Sequence, residues 1–185
     1  MKDLTERFIE GGLVYDGNLL KVYRDTVRLP DGGEGTREYI RHPGAVAILA
    51  LFDDGTILLE RQFRYPPRRE FIEIPAGKLE PGEPHLDTAQ RELLEETGYV
   101  AAEWTRLGAI HTTIGYTDEV IELWFAKKLS LKERRLDPGE FLETLIVPFD
   151  DALAMVRDGR ISDSKSVIGI LWVDKWVRPP LSSRA

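Results

Sequence analysis

The chain has 185 residues, no cysteine and a formal net charge of −7. This length suits one domain of ordinary size, or a main domain with a small extension. The lack of cysteine excludes a fold that depends on disulfides and favours a cytoplasmic protein, and the acidic balance argues against a protein that binds nucleic acid through clustered lysine and arginine.

The first 42 residues consist of short alternating segments. Period-two patterns cover residues 12–17, 18–30 and 37–44, and the turn sequence PDGG occupies residues 30–33. These features predict a small antiparallel sheet with a hairpin. Three short strands are near the minimum for independent stability. We therefore predict an N-terminal subdomain, residues 1–42, that packs on the main domain, residues 43–185, or on another subunit.

The main domain mixes strands with helices. Strands are predicted over residues 45–52, 56–63, 104–113, 119–129 and 142–149, and helices over residues 150–159 and 163–177. Residues 70–83 predict a strand that runs into a Gly/Pro-rich loop. Apolar stretches such as 45–52 are far shorter than the ~20 residues of a spanning helix, so no membrane span is expected. Strands flanked by helices predict an α/β sandwich with the sheet in the middle, and the tail, residues 178–185, is predicted to be frayed.

An acidic helix is predicted between the Gly/Pro-rich loop and Gly98. Glu92, Glu95 and Glu96 are spaced three or four residues apart, so their carboxylates share one face. No basic residue follows them in the helix to neutralise the repulsion. By itself this fragment is compatible with a solvated acidic face and with a metal site.

The whole segment, GKLEPGEPHLDTAQRELLEETGY over residues 77–99, resembles the Nudix box. Its positions are filled by Gly77, Glu83, Arg91, Glu92, Leu93, Glu95, Glu96 and Gly98, and Tyr99 stands where the box has an aliphatic residue. The resemblance implies the Nudix α/β/α sandwich with a mixed central sheet, in the α/β (α+β) class. It also implies a Mg²⁺ cofactor, with Mn²⁺ as the alternative, because carboxylates with substrate phosphates and waters suit Mg²⁺.

The box also implies roles for individual residues. By matching positions, Glu92 and Glu96 are the principal metal ligands, Glu95 is a further ligand or orienting group, and the Ala76 carbonyl is a backbone ligand. Glu92 and Glu95 thereby belong to the catalytic residues. Glu83 and Arg91 are expected to tie the loop to the helix by an ion pair rather than to bind metal.

Most of the chain is similar to the ADP-ribose pyrophosphatase group, including REYIRHPGAVAILAL, RQFRYPPRREFIEIPAGKLEPGE and GRISDSKSVIGILW. The similarity implies hydrolysis of ADP-ribose or a similar nucleoside diphosphate sugar to AMP (NMP) and a sugar phosphate. It also implies a homodimer in which the N-terminal segment contributes to substrate binding. One departure is Ile114, which stands where the group usually has a proline. Two alternatives stay open: a pyrophosphatase for dinucleotides or oxidised nucleotides, and a non-catalytic nucleotide-binding Nudix module.

Substrate contacts are expected from the strand that carries Arg61, Gln62 and Arg64. We expect both arginines on one face of this strand, where a guanidinium fork suits phosphate, with Gln62 near Arg64. Glu73 is expected either to face the ribose or to form an ion pair at the strand end. In the loop HTTIGYTDE, the resemblance implies that a carboxylate, Glu119 in preference to Asp118, positions or deprotonates the attacking water.

Overall fold

The structure is a computed structural model, and it describes residues 1–136 and 139–177. The tail predicted to be frayed, residues 178–185, lies outside the described residues. The chain divides into two compact units, Met1–Pro43 with His111–Val120 and Gly44–Ile110 with Ile121–Ala185. Residues 111–120 thus group with the N-terminal residues, whereas the predicted division assigned them to the main domain. That division stays a prediction.

The smaller unit contains an antiparallel sheet of three strands in the order β1-β2-β3: β1 (Arg7–Asp16), β2 (Lys21–Arg28) and β3 (Glu34–Arg41). The β2–β3 connection is closed by the Leu29 amide, which donates to the Gly33 carbonyl at 2.8 Å. Gly32 adopts φ +89° in this turn, a left-handed conformation that glycine enters without steric cost. The predicted small sheet with its hairpin is confirmed.

The larger unit is built on a seven-stranded sheet. Its strands are β4 (Ala45–Leu51), β5 (Thr56–Arg64), β6 (Arg69–Glu73), β7 (Ala76–Lys78), β8 (Tyr99–His111), β9 (Val120–Leu131) and β10 (Leu142–Pro148). The main order is β10-β5-β4-β9-β8, while β6 pairs with β5 and β7 pairs with β4. Because β4 is parallel to β9 and antiparallel to β5 and β7, the sheet is mixed.

Helices cover both faces of this sheet. They are α1 (His85–Thr97), α2 (Phe149–Arg157) and α3 (Ser164–Trp172), and a π-helical turn follows at Val173–Val177. Alternate residues of β4 enter two different cores: Val46 and Ile48 pack with the side chains of α1, whereas Ala47 and Leu49 join those of α2 and α3. A strand covered on both faces is apolar throughout instead of alternating. The α/β/α sandwich with a mixed sheet is confirmed.

The strand predicted to run into the loop after residue 70 is interrupted by Pro75. Before it, β6 pairs with β5; after it, the short strand β7 pairs with β4. Proline has no amide hydrogen for a sheet ladder, but the Pro75 carbonyl still accepts from the Ile48 amide at 2.8 Å. After this change from β5 to β4 as the strand partner, the chain leaves the sheet and enters α1. In the described part of the chain, no helix has the length and apolar character needed to cross a membrane.

Candidate active site

Helix α1 is bounded by local signals and oriented by its apolar side. Pro84 is the N-cap, and Gly98 ends the helix with φ +78° while its amide donates to the Leu94 carbonyl at 2.8 Å. Ala89 and Leu93 are fully buried in the core beneath the helix. With these apolar residues in the core, Glu92 and Glu96 lie beside Gly77 and Ala76 of β7.

Arg91 is the centre of an ion-pair network that joins the loop to α1. Its Nε and Nη2 atoms each lie 2.9 Å from a carboxylate oxygen of Glu83. Its Nη1 atom lies 2.9 Å from Glu92 and 3.1 Å from Glu95. Arg91 thereby lowers the pKa of Glu83 to about 2, aided by the Thr88 hydroxyl, which donates to the same carboxylate at 2.8 Å. The expected tie between loop and helix is present.

Glu96 is the most deeply buried carboxylate of the box, with a residue exposure of 5%. One of its oxygens accepts a hydrogen bond from the Ala76 amide at 3.0 Å. Burial raises the pKa of Glu96 well above its usual range, and the nearby charges of Glu60, Glu92 and Glu140 act in the same direction. Burial also raises the pKa of Glu92, although Arg91 opposes the shift.

Strand β7 approaches α1 closely because it contains a glycine. A Cβ atom added to Gly77 would lie 1.8 Å from a carboxylate oxygen of Glu92. Only a residue without a side chain leaves room for Glu92 here. Ala76, the expected backbone ligand, precedes this glycine and touches Glu96 through its amide. The structure thus brings Ala76, Glu92 and Glu96 together.

Two acidic residues of this region were missed by the sequence analysis. Glu60 on β5 is 4% exposed, and within the described residues its Oε1 atom has no hydrogen-bond partner. Burial raises the pKa of Glu60 to about 8, while Arg134 opposes the rise and Glu140 adds to it. Glu140 is close enough to affect Glu60, Glu92 and Glu96. One signal was available for Glu60: a carboxylate directly after the apolar run of residues 57–59.

The chemistry of these side chains suits a hard divalent cation. The donors are oxygen atoms only, two of the carboxylates are buried, and they repel one another, which a bound cation would relieve. Across residues 1–136 and 139–177, no three acidic or histidine side chains are already arranged to hold a metal ion. Arg91 donates to one oxygen of Glu92 and to one oxygen of Glu95, and the second oxygen of each carboxylate could face a cation.

The expectation that Arg61 and Arg64 share one face of β5 is wrong. Residues three apart in a strand point to opposite faces, and the partners of the two arginines differ accordingly. Arg61 pairs with Glu143 at 2.6 Å and with Glu70 at 3.3 Å. Arg64 makes two parallel hydrogen bonds of 2.8 Å to Glu73.

Gln62 lies on the Arg64 face, because it is two residues away along the strand. Glu60 is a further two residues back and pairs directly across the sheet with Glu73. Glu73 is buried and engaged by Arg64 and Lys165, so its side chain is an ion-pair partner in this structure. One face of β5 and β6 therefore carries Gln62 and Arg64 together with the buried carboxylates of Glu60 and Glu73.

In the smaller unit, Glu119 ends the loop before β9, and its carboxylate is held by neighbouring side chains. The Thr112 hydroxyl donates to the Glu119 carboxylate at 2.6 Å, and the His42 Nε2 atom lies 3.5 Å from it. The Asp118 carboxylate instead accepts a hydrogen bond from the His42 amide at 2.8 Å. Ile114 is exposed. Of the two loop carboxylates, that of Asp118 accepts from a backbone amide, whereas that of Glu119 contacts the side chains of Thr112 and His42.

Two family models match adjoining parts of the chain. Residues 41–167 match the family model described as NUDIX domain, and residues 13–40 match the one described as nucleoside diphosphate sugar hydrolase N-terminal domain. The chain is 42% identical over 175 residues to ADP-ribose pyrophosphatase of Bacillus subtilis (strain 168), covering 94% of this chain and 95% of that protein. It is 41% identical over 174 residues to methanol dehydrogenase activator of Bacillus methanolicus, covering 93% and 94%.

The fold has a solved counterpart. A crystal structure of an ADP compounds hydrolase superposes with a TM-score of 0.84, covering 95% of this chain and 96% of that chain. At 21% sequence identity this likeness concerns the fold alone. The family match covers more than half of the chain and contains the acidic helix with its loop, and the resemblance to the ADP-ribose pyrophosphatase group is confirmed. The chain belongs to the Nudix family.

Proposed function

We propose that the protein is a Mg²⁺-dependent hydrolase that cleaves the pyrophosphate bond of ADP-ribose or a similar nucleoside diphosphate sugar, giving AMP (NMP) and a sugar phosphate. The observation that carries this proposal is the buried Glu96 carboxylate beside Ala76 and Glu92, in a box that retains all its glutamates. The similarity to an ADP-ribose pyrophosphatase over nearly the whole chain supports the substrate class. So does the match to the nucleoside diphosphate sugar hydrolase N-terminal domain.

Nudix hydrolases generally use divalent metal ions. We propose Glu92, Glu95, Glu96 and the Ala76 carbonyl as the groups that hold Mg²⁺, with Mn²⁺ as the alternative. A divalent cation bound there supplies charge that offsets the phosphoryl oxygens and lowers the pKa of a water. Arg91 keeps Glu92 and Glu95 near each other in the absence of that charge. Helix α1 carries all three glutamates, and Ala76 on β7 contacts one of them, Glu96.

Two carboxylates are candidates for positioning the attacking water. Glu119 follows from the family resemblance, and its hydrogen bond from Thr112 holds the carboxylate in place. Glu140 is the second candidate, because its charge acts on Glu60, Glu92 and Glu96. A variant that removes the water-positioning group is expected to lower kcat far more than KM. Comparing Glu119→Gln with Glu140→Gln by steady-state kinetics separates the two.

Substrate phosphate is proposed to bind Arg64, with Gln62 beside it. Glu73 uses Nε and Nη2 of Arg64 and leaves the Nη1 group for a phosphate oxygen. Glu73 is proposed to act through Arg64 rather than by touching the ribose, since its side chain is buried beneath the guanidinium. Arg61 is not expected to bind the substrate, because it pairs with Glu143 and Glu70 on the opposite face of β5.

Replacing Arg64 with Lys is expected to raise KM for ADP-ribose about tenfold with a smaller change in kcat. An ammonium group cannot bind Glu73 in the two-pronged manner of the guanidinium while also reaching a phosphate. Steady-state kinetics measures both constants. Arg61→Lys is the matched control, three residues away on the other face of the same strand, and is expected to leave KM unchanged. Equal KM changes in the two variants would contradict the assignment.

The proposed function is tested by product analysis with Mg²⁺ and a panel of ADP-ribose, other nucleotide sugars, dinucleotides and triphosphates. The expected result is AMP and ribose 5-phosphate from ADP-ribose. Preference for dinucleotides or triphosphates over every sugar diphosphate would favour the alternative pyrophosphatase. Tight binding of ADP-ribose without turnover, with each divalent metal tried, would favour a non-catalytic nucleotide-binding module.

We further propose a homodimer in the cytoplasm, with small-molecule nucleotide sugar as the ligand. The small sheet exposes large apolar side chains along β1, among them Phe8, Leu13 and Tyr15, which a second subunit could cover. Light scattering at micromolar concentration is expected to give twice the 21.1 kDa of one chain. A mass of one chain would contradict the dimer, and cell fractionation tests the location.

A further inference from the structure

The first turn of α3 is fastened to the end of β6. The buried Ser166 hydroxyl accepts a hydrogen bond from the Ile74 amide at 2.8 Å. The Lys165 ammonium group contacts the Glu73 carboxylate and lies 2.9 Å from an oxygen of Asp163. Asp163 in turn caps the helix by accepting the Ser166 amide at 3.2 Å. Helix α3 therefore holds the backbone and the side chain of consecutive residues at the end of β6.

Glu73 is shared between two cations. Its oxygens accept two hydrogen bonds of 2.8 Å from Arg64, and one of them also contacts Lys165. The side chains of Glu73 and Lys165 are only 4% and 12% exposed, whereas that of Arg64 is 43% exposed. Of the three, Arg64 alone reaches solvent to a large extent. Lys165 is thus placed to act on a ligand through its neighbours and not by direct contact.

The charges explain what the second cation adds. A buried carboxylate paired with Arg64 alone would neutralise the guanidinium and weaken its attraction for a phosphate. Arg64 and Lys165 together balance the charges of Glu73 and Asp163, so without Lys165 the remaining groups would carry a net negative charge beside the guanidinium. The Asp163 carboxylate also accepts a hydrogen bond from the Ser166 amide at the positive end of α3, which partly offsets its negative charge.

We propose that Lys165 is a positioning residue for phosphate binding: through Glu73 it holds the Arg64 guanidinium in one orientation and keeps its charge available to the substrate. This inference rests on the proposed function, because it assigns the phosphate of a nucleoside diphosphate sugar to Arg64. Removing the Lys165 ammonium group leaves Glu73 bonded to Arg64 alone. Arg64 is then drawn more strongly to Glu73 and loses affinity for phosphate.

The test compares Lys165→Met and Lys165→Arg with the wild-type protein. Methionine keeps the apolar stem and removes the charge, whereas arginine keeps the charge. Lys165→Met is expected to raise KM for ADP-ribose about tenfold and to change kcat by less than about threefold, and Lys165→Arg should restore most of the affinity. Calorimetric titration with ADP-ribose in EDTA provides a readout without turnover, in which Kd should rise in parallel.

Coupling to Arg64 separates positioning from a general structural effect. In an Arg64→Ala background, Lys165→Met is expected to cause almost no further rise in Kd or KM. If Lys165→Met folds poorly, the double variant Asp163→Asn, Lys165→Met restores the charge balance, and asparagine is still a good helix cap. Lys175→Met, on the exposed π-helical turn after α3, is the matched control and should leave both constants unchanged.

The outcomes distinguish the positioning role of Lys165 from the proposed function of the protein. A tenfold rise in Lys165→Met that disappears in the Arg64→Ala background supports the positioning role. Unchanged constants in Lys165→Met, or the same rise with and without Arg64, overturn it while leaving the proposed function intact. A wild-type protein that neither hydrolyses nor binds ADP-ribose or another nucleotide sugar overturns the proposed function, and the inference with it.

Discussion

Glu96→Gln is expected to lower kcat for ADP-ribose hydrolysis by at least about a hundredfold, which corresponds to roughly 3 kcal/mol of transition-state stabilisation. Glutamine has nearly the same shape but carries no charge and is a poor ligand for Mg²⁺. In this structure the Ala76 amide donates a hydrogen bond of 3.0 Å to Glu96. The side-chain oxygen of glutamine can still accept this bond, so the fold should persist. Steady-state kinetics at saturating Mg²⁺, with circular dichroism as a fold check, measures the effect.

The matched control is Asp87→Asn in the first turn of the same helix, where the carboxylate is exposed. It removes one negative charge from α1 without touching the buried group, so kcat should change by less than about twofold. A Glu96→Gln variant with nearly wild-type kcat would remove Glu96 from the metal ligands. Equal losses in both variants would point to the overall charge of the helix instead.

Glu60→Gln is expected to reduce the fall of stability between pH 5 and pH 8, while Glu96 and Glu92, whose pKa values burial also raises, keep part of it. Burial raises the pKa of Glu60 from 4.5 to about 8 in the folded protein. Between these values the folded protein keeps the proton and the unfolded chain releases it, so the contribution of Glu60 to stability is fully present below pH 4.5 and is lost as the pH rises through 8. For this single group the loss between pH 5 and pH 8 is about 3 kcal/mol.

Urea unfolding in EDTA at pH 5, 6.5 and 8 measures this effect without a bound metal ion. The wild-type free energy of unfolding should fall with pH, and that of Glu60→Gln should fall by less, because only Glu92 and Glu96 of the three buried carboxylates remain. Glu103→Gln is the control, because Glu103 is an exposed carboxylate in a surface ion pair with Lys127. It should follow the wild-type curve. A Glu60→Gln profile parallel to that of the wild type would show that Glu60 is already ionised in the folded protein.

Parts of the site that depend on neighbouring residues in the chain were predictable. The helix, its C-terminal glycine and the apolar positions Ala89 and Leu93 follow from periodicity and capping, which act over one or two turns. The ion pair between Glu83 and Arg91 also joins residues of one short segment. Gly77 could be assigned to the box, but the reason for a glycine there, the closeness of the Glu92 carboxylate, needed the packing of β7 against α1.

Sheet register set the partners of β5. Residues three apart in a strand lie on opposite faces, so the sequence alone separates Arg61 from Arg64. Which of these two faces turns toward α1 depends on the strands that pair with β5. Arg61 reaches Glu143 on β10, and Arg64 reaches Glu73 on β6. These partners lie 82 and 9 residues away in sequence. No local pattern specifies contacts of that range.

The family, the mixed α/β architecture and the acidic helix follow from the amino-acid sequence, because they depend on motif spacing and on the periodicity of apolar residues. Tertiary structure alone decided which charges are buried and with whom they pair. Glu60 lies near Glu96, and Lys165 meets Glu73, only because β5, β6 and α3 converge in the folded chain. Burial removes water from a carboxylate and makes its nearest partner decisive, and both burial and partner are properties of the three-dimensional packing.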